Sequence, residues 1–322
     1  MVHKVEFLPS SSVIDVGEEQ DLLGAALSAN ISVPYSCKRG TCGACKALLL
    51  KGNVSHIEGV SHLAEKEILL CQARALSDLV IEVEELTELQ DIEVRTLPCR
   101  IHKIERVAFD VIILELRLPP KAKFRFLPGQ YIDLLHKEGV RRSYSIARFD
   151  DVSNLIELHI RKVEGGVFTQ HVFEKLKEND LLRFEGPFGS FFVQDKSTAP
   201  LIFLAGGTGF APIQAMVKSQ LKKGESRDMY VYWGASQQEG FYSRQPERWR
   251  EECSNVNYVP VLSDSSWGGR TGYVHHAVLE DFPDLSQYEI FACGSPEMVN
   301  SAREAFVKQG LSESAFFSDI FV

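Results

Sequence analysis

A chain of 322 residues is longer than one hydrophobic core usually covers, so two or three domains are expected. Apolar residues make up 44 % and charged residues 25 %, as in ordinary globular proteins, and 23 glycines with 13 prolines exclude a collagen-like or low-complexity chain. The net charge of −9, from 35 basic and 44 acidic residues, excludes a sequence-independent grip on nucleic acid.

No apolar run approaches the roughly 18 residues of a membrane span, and the opening MVHKVEFLPSSS lacks the apolar core of a secretory signal. A cytoplasmic protein with reduced thiols is therefore expected. Residues 4–8 and 12–16 read as short strands, and the apolar spacing of 21–30 reads as a helix. Four of the seven cysteines follow within 37–71, while Cys99, Cys253 and Cys293 are scattered. Cys37, Cys42 and Cys45 stand at C-x4-C-x2-C spacing, with Cys71 arriving later, which is the plant-type [2Fe-2S] pattern. Such a cluster carries excess negative charge and needs backbone N–H groups close to its sulfurs; Gly40, Gly43 and Ala44 are small enough to permit that approach. A structural zinc site normally shows two short knuckles, and only Cys42 and Cys45 form one here.

Residues 1–95 hold 15 acidic against 8 basic side chains, so this segment carries −7 of the net charge. Its last charged stretch is wholly acidic up to Glu93 (Glu82, Glu84, Glu85, Glu88, Asp91, Glu93) and reads as a solvated linker at a domain boundary. From 97 to 195, short alternating runs at 111–118, 130–135, 155–160 and 181–184, broken by Gly/Pro turns, predict an antiparallel β-barrel with one helix at 167–177. Within Arg141-Arg142-Ser143-Tyr144-Ser145, an Arg, a Tyr and a Ser at alternate positions are expected to share one strand face. That face would offer a phosphate fork, a stacking ring and a hydroxyl. Gly165-Gly166-Val167-Phe168-Thr169 opens the helix, where N–H groups and the helix dipole favour a pyrophosphate; a plain turn into a helix is the alternative. Downstream of an iron–sulfur signature, the two motifs together point to a flavin dinucleotide site.

Residues 196–322 alternate continuous apolar strands (201–205, 229–233, 256–262, 290–293) with helical stretches (212–222, 246–252, 296–309), the mark of a doubly wound parallel sheet. The first strand runs into Gly206-Gly-Thr-Gly209-Phe-Ala-Pro212, which is suited to a pyrophosphate although it is not G-x-G-x-x-G. Cys293-Gly294-Ser295-Pro296 stands at another strand's carboxyl end, where nucleotides bind such sheets; Cys293 is equally read as a small buried residue. H-E-x-x-H, G-x-S-x-G and P-loop motifs are absent, and adjacent His275 and His276 are expected to diverge on a helix.

In this order the motifs resemble the ferredoxin–NAD(P)H reductase superfamily, in the branch with an N-terminal plant-type ferredoxin. More narrowly, RRSYSIA (141–147), YWG (232–234), VPVLS (259–263), HHAVLEDFPDLS (275–286) and the ending FFSDIFV are similar to the CDP-6-deoxy-Δ3,4-glucoseen reductase family. The resemblance implies a multidomain chain. A β-grasp ferredoxin (1–90) would lead through an acidic linker (91–96) to an antiparallel β-barrel flavin domain (97–195) and an α/β doubly wound NAD(P)H domain (196–322). It implies cluster ligation by Cys37, Cys42, Cys45 and Cys71. It implies FAD binding by Arg142 (pyrophosphate), Tyr144 (isoalloxazine), Ser145 (flavin N5) and Gly166, Val167 and Thr169 (phosphates). Gly207, Thr208, Gly209 and Gly294 would face the pyridine nucleotide and Cys293 its nicotinamide, while Asp319 and Phe321 would complete the flavin site, with Phe317 as the rival ring. Ser236-Gln237-Gln238-Glu239 offers no cation for a 2′-phosphate, which favours NADH over NADPH.

A nicotinamide gives electrons in pairs and a [2Fe-2S] cluster takes one, a mismatch that a flavin resolves. The implied acceptor is a pyridoxamine-phosphate (PMP)-dependent sugar dehydrase, with Lys38, Arg39 and Lys46 as candidate docking charges. A ring-hydroxylating or diiron oxygenase is the alternative partner, and a metal-binding sensor without turnover is the alternative of a different class.

Overall fold

The computed structural model describes residues 1–56, 66–135, 139–264 and 267–321. Contacts divide the chain into two compact units, Met1–Glu93 and Val94–Val322.

In the first unit, β1 (Val2–Leu8) and β2 (Ser12–Gly17) form an antiparallel hairpin. Asp21 then caps α1 (Leu22–Ser28), its carboxylate accepting the Gly24 N–H at 2.7 Å, so the helix starts where its apolar spacing does. Leu22, Leu23, Ala25 and Ala26 form the helix's buried face. There follow β3 (Lys46–Lys51), β4 (Val54–His56), β5 (Glu67–Leu69), β6 (Ala73–Ala75) and β7 (Leu79–Glu82). The main sheet runs β2-β1-β7-β3-β5, with β1 and β7 parallel at its centre and the other pairs antiparallel; β4 and β6 pair separately. This is a β-grasp arrangement. The acidic stretch is not a simple solvated tether. Val83 and Leu86 are buried between its carboxylates, and the Val83 and Leu86 N–H groups donate to Leu8 O (3.1 Å) and Ser32 O (2.8 Å). Two apolar anchors outweigh like-charge repulsion because Glu82, Glu84 and Asp91 still face water.

The second unit opens with a closed barrel. It is built from β8 (Arg95–Arg106), β9 (Val111–Arg117), β10 (Tyr131–Leu135), β11 (Arg141–Asp150), β12 (Leu155–Arg161) and β13 (Leu181–Phe188), ordered β10-β11-β12-β9-β8-β13 and antiparallel throughout. Alternation places Ile156, Leu158 and Ile160 of β12 in the barrel core with Ile101, Leu114, Leu116, Ile132 and Phe184. Helix α2 (Val167–Glu174) covers one end through Phe168 and Val172. The remaining residues form a six-stranded parallel sheet, β17-β16-β15-β14-β18-β19. Its strands are β14 (Leu201–Gly206), β15 (Met229–Ala235), β16 (Val256–Leu262), β17 (Arg270–Thr271), β18 (Glu289–Gly294) and β19 (Phe316–Ile320). Helices α3 (Phe210–Lys223), α4 (Gln245–Glu252), α5 (Val274–Asp281) and α6 (Pro296–Lys308) connect them. The order reverses at β14, so a crevice opens between the carboxyl ends of β14 and β18.

Helix α3 begins at Phe210, two residues earlier than its apolar spacing suggests, because a 3-10 turn over Gly207–Gly209 leads directly into it. His275 and His276 do not diverge: their rings lie 4.3 Å apart and edge-on, with Tyr273 stacked on His275. No helix among the described residues is long and apolar enough to cross a membrane.

Candidate cofactor sites

The four clustered cysteines come from two places, the loop between α1 and β3 and the turn between β5 and β6. Cys42, Cys45 and Cys71 are buried and Cys37 is half-buried. They meet as two pairs. Cys45 and Cys71 lie with their sulfurs 3.3 Å apart, and the Cys37 and Cys42 side chains hydrogen-bond to each other. Among the described residues no three His, Cys, Asp or Glu side chains converge on one point. Two pairs suit a two-iron centre, in which each iron takes two thiolates.

The surrounding backbone supplies the donors such a centre needs. The N–H groups of Arg39 and Cys42 approach Cys37 Sγ at 3.4 Å, that of Ala44 approaches Cys42 Sγ at 3.5 Å, and Gln72 Nε2 lies 3.7 Å from Cys71 Sγ. Gly40 makes this turn possible: its φ is +81°, and a Cβ there would lie 2.8 Å from Gln72 Cγ. Hydrogen bonding from Cys42 holds the Cys37 thiol down to about 4, and bonding from Cys45 lowers Cys71, while Cys42 and Cys45 are pushed up by the same contacts and by burial.

On β11 the expected shared face is not what forms. Arg142 and Tyr144 alternate, opposite Leu134 and Ile132, whereas Ser145 is the next residue, opposite Tyr131, and its side chain leaves on the other side. The two neighbouring arginines differ sharply. Arg141 is committed to Asp133 (3.2 Å) and Glu185. Arg142 has no carboxylate partner among the described residues; its Nη1 donates to the Arg141 carbonyl at 2.7 Å. Tyr144 packs on the barrel core and on Phe168 at 6.0 Å, and burial pushes its phenol up. Ser145 is 4 % exposed, and its hydroxyl has no hydrogen-bond partner among the described residues. A buried orphan hydroxyl costs stability unless a ligand supplies the missing partner.

Gly166 caps α2, and Val167 is exposed at its first position. The Thr169 hydroxyl is already engaged. It accepts the Val163 N–H at 3.1 Å and lies 3.1 Å from Gly166 O and 3.2 Å from Val163 O, so it shapes the turn from within. At the crevice, Gly207, Thr208 and Gly209 form the turn after β14, and Cys293 and Gly294 close β18 beside them. A Cβ at Gly209 would sit 2.1 Å from Cys293 O, so only glycine lets these strand ends meet. Cys293 is fully buried opposite Asp319 in the β18–β19 register; burial first, then the Asp319 charge, push its thiol well up and keep it protonated. Phe317 is stacked on Phe291 at 4.7 Å, and Phe321, whose N–H donates to Gly294 O at 3.0 Å, packs against the same apolar core.

Sequence reading missed a polar row on β12. Glu157, His159 and Arg161 alternate on its outer face, and in this fold that face is covered by the nucleotide half rather than by water. Gln214 of α3 donates to Glu157 Oε1 at 2.8 Å, and the Arg161 guanidinium lies over Gly207, held by Asp110 at 3.0 Å. Alternating polar residues were the available signal, but they look the same on a solvated strand.

Fold and sites together define an NAD(P)H-dependent oxidoreductase with FAD and a [2Fe-2S] cluster. Residues 5–76 match the 2Fe-2S iron-sulfur cluster binding domain, 98–193 the oxidoreductase FAD-binding domain and 203–304 the oxidoreductase NAD-binding domain. The chain is 47 % identical to the CDP-6-deoxy-L-threo-D-glycero-4-hexulose-3-dehydrase reductase of Yersinia pseudotuberculosis serotype I (strain IP32953), across 99 % of this chain and 98 % of that one. It is 34 % identical to terephthalate 1,2-dioxygenase reductase component 1 of Comamonas sp, over 100 % and 98 %. Among solved structures, the Amycolatopsis cytochrome P450 reductase GcoB is similar at 29 % identity and a TM-score of 0.79, over 99 % and 98 %. The chain belongs to the CDP-6-deoxy-4-hexulose-3-dehydrase reductase family of iron–sulfur flavoprotein reductases.

Proposed function

We propose that the electrons leave this reductase for a PMP-dependent sugar dehydrase that removes the C-3 oxygen of CDP-6-deoxy-4-hexulose, in 3,6-dideoxyhexose formation. One observation carries the choice of partner: identity over essentially the whole chain is 47 % to a dehydrase reductase and 34 % to a dioxygenase reductase. The modules assigned to this task are 1–90, 97–195 and 196–322, joined through 91–96. When bound, the three cofactors supply a two-electron donor, a centre that accepts pairs and releases singles, and a one-electron relay.

The chain's own residues bind and orient those groups. Cys37 with Cys42, and Cys45 with Cys71, each hold one iron. Arg142, with no carboxylate partner among the described residues, takes the FAD pyrophosphate with the backbone of Gly166 and Val167. Tyr144 and Phe321 pack on the isoalloxazine, and Ser145 offers its hydroxyl to N5. Gly207, Thr208, Gly209 and Gly294 receive the pyridine nucleotide, and burial, with Asp319 second, keeps Cys293 a neutral thiol beside the nicotinamide. NADH is the favoured coenzyme, since residues 236–239 bring no cation for a 2′-phosphate.

Reconstitution with the dehydrase and NADH tests the partner: C-3 deoxygenation of the nucleotide sugar is expected, and electron delivery to an oxygenase component alone would overturn the assignment. Ser145→Ala tests the flavin site. Flavin-free protein is expected to gain about 1 kcal/mol of stability, because a buried hydroxyl without a partner is gone. Flavin reduction by NADH is expected to slow by about tenfold. A variant equally reduced and no more stable without FAD would remove Ser145 from the site.

A further inference from the structure

We propose that Trp233 is a positioning residue for the pyridine nucleotide, acting through the Gly207–Thr208 peptide; the inference rests on reading Gly207–Gly209 as the nucleotide turn. Trp233 lies on β15 and is wholly buried, yet its indole carries an N–H that must find an acceptor. That acceptor is Gly207 O, at 2.9 Å. Because a trans peptide is planar, its carbonyl and its N–H point in opposite directions. Drawing the Gly207 oxygen inward to the indole therefore aims the Thr208 N–H outward, the orientation an anionic pyrophosphate needs. The 3-10 turn also brings the Phe210 N–H onto this oxygen, and the indole adds a second donor that fixes the direction of the carbonyl. A turn that spends part of its time misaligned binds more weakly by that fraction.

The indole is held rigidly enough to serve as a fixed point. Phe210 stacks on it at 4.1 Å and 12°, and Tyr242 packs edge-on at 5.1 Å. Tyr242 is tied in turn to the barrel, its hydroxyl sharing a hydrogen bond with His159 Nδ1 at 2.9 Å, while His159 Nε2 meets Glu157 at 3.1 Å. The carbonyl of the nucleotide turn is thus referenced, through one indole, to the strand that carries the flavin barrel's outer face.

The test measures NAD+ dissociation by calorimetry on FAD- and cluster-loaded protein, alongside KM and kcat. Trp233→Phe removes the N–H. Replacing Trp233 by 3-benzothienylalanine removes it while keeping the bicyclic shape, and covers the case in which Trp233→Phe fails to fold. Either is expected to raise the NAD+ Kd and the NADH KM by about two- to tenfold. FAD content should stay unchanged and kcat should move less than about twofold. Gly207→Ala, whose Cβ would lie 2.4 Å from Arg161 Nη1, is the control for the turn itself. If Gly207→Ala weakens NAD+ binding and the benzothienyl protein binds like the parent, the role of Trp233 is overturned and the nucleotide reading stands. If none of the three changes Kd, the nucleotide reading falls as well.

Discussion

Cys71→Ser is expected to abolish the visible and paramagnetic signature of the cluster and to cut NADH-dependent cytochrome c reduction by at least about a hundredfold. Ferricyanide reduction, which draws directly on the flavin, should stay within about twofold. The expectation follows from the paired geometry. Cys71 and Cys45 lie with sulfurs 3.3 Å apart, and Cys71 is the member whose thiol is lowered by hydrogen bonding. A serine hydroxyl at that point neither ionises in the accessible range nor offers a soft sulfur, so one iron is left with a single protein ligand. The scattered cysteines supply the contrast. Cys253→Ser should retain the full spectrum, and Cys99→Ser should alter stability alone, since Cys99 sits in the barrel core with its thiol pushed up to about 12 by burial. A Cys71→Ser protein that kept its cluster signature would exclude this thiol as a ligand.

Arg142→Ala carries the second large effect. Charge-assisted hydrogen bonds contribute about 1.5–3 kcal/mol, so FAD should bind about 10- to 150-fold more weakly, with a melting temperature of the flavin-free protein that hardly moves. Arg141→Ala should do the opposite. Its guanidinium is already paired with Asp133 and Glu185, and about half of it is exposed, so its loss costs at most about 1 kcal/mol of stability and leaves FAD affinity within about threefold. Fluorescence titration of flavin-free protein with FAD separates the two. Equal losses from both variants would show that position along β11, and not freedom from a carboxylate partner, decides which arginine serves the phosphate.

The spacing of Cys37, Cys42 and Cys45 was legible because it is local: a loop that wraps a cluster keeps such residues close in sequence, and small residues must lie between them. Most of the first unit's sheet was not. Strands β4 to β7 are three or four residues long, and in β3 Leu48 and Leu50 are exposed while Ala47 is buried, so period-two patterning had little to act on. Barrel and parallel sheet were readable because both leave strong hydropathy signatures, alternation in one and unbroken apolar runs in the other. The Arg-x-Tyr-Ser run was legible in its residue types, but the shared face expected of it does not form, since Ser145 follows Tyr144 directly and so projects from the other side of β11.

Cysteine spacing, the Arg-x-Tyr-Ser run, the glycine turn after β14 and the closing Cys-Gly-Ser-Pro were enough to determine which cofactors this chain is built for, because each is a short motif whose chemistry depends on neighbouring residues. Tertiary structure alone decided how those residues divide the work. It sorted four thiols into two pairs, paired Arg141 with two carboxylates while Arg142 has none among the described residues, left the Ser145 hydroxyl without a partner among them, occupied the hydroxyl of Thr169 and stacked Phe317 on Phe291. Those outcomes hang on partners tens of residues distant in the chain, and a side chain's availability is set by what the fold brings against it.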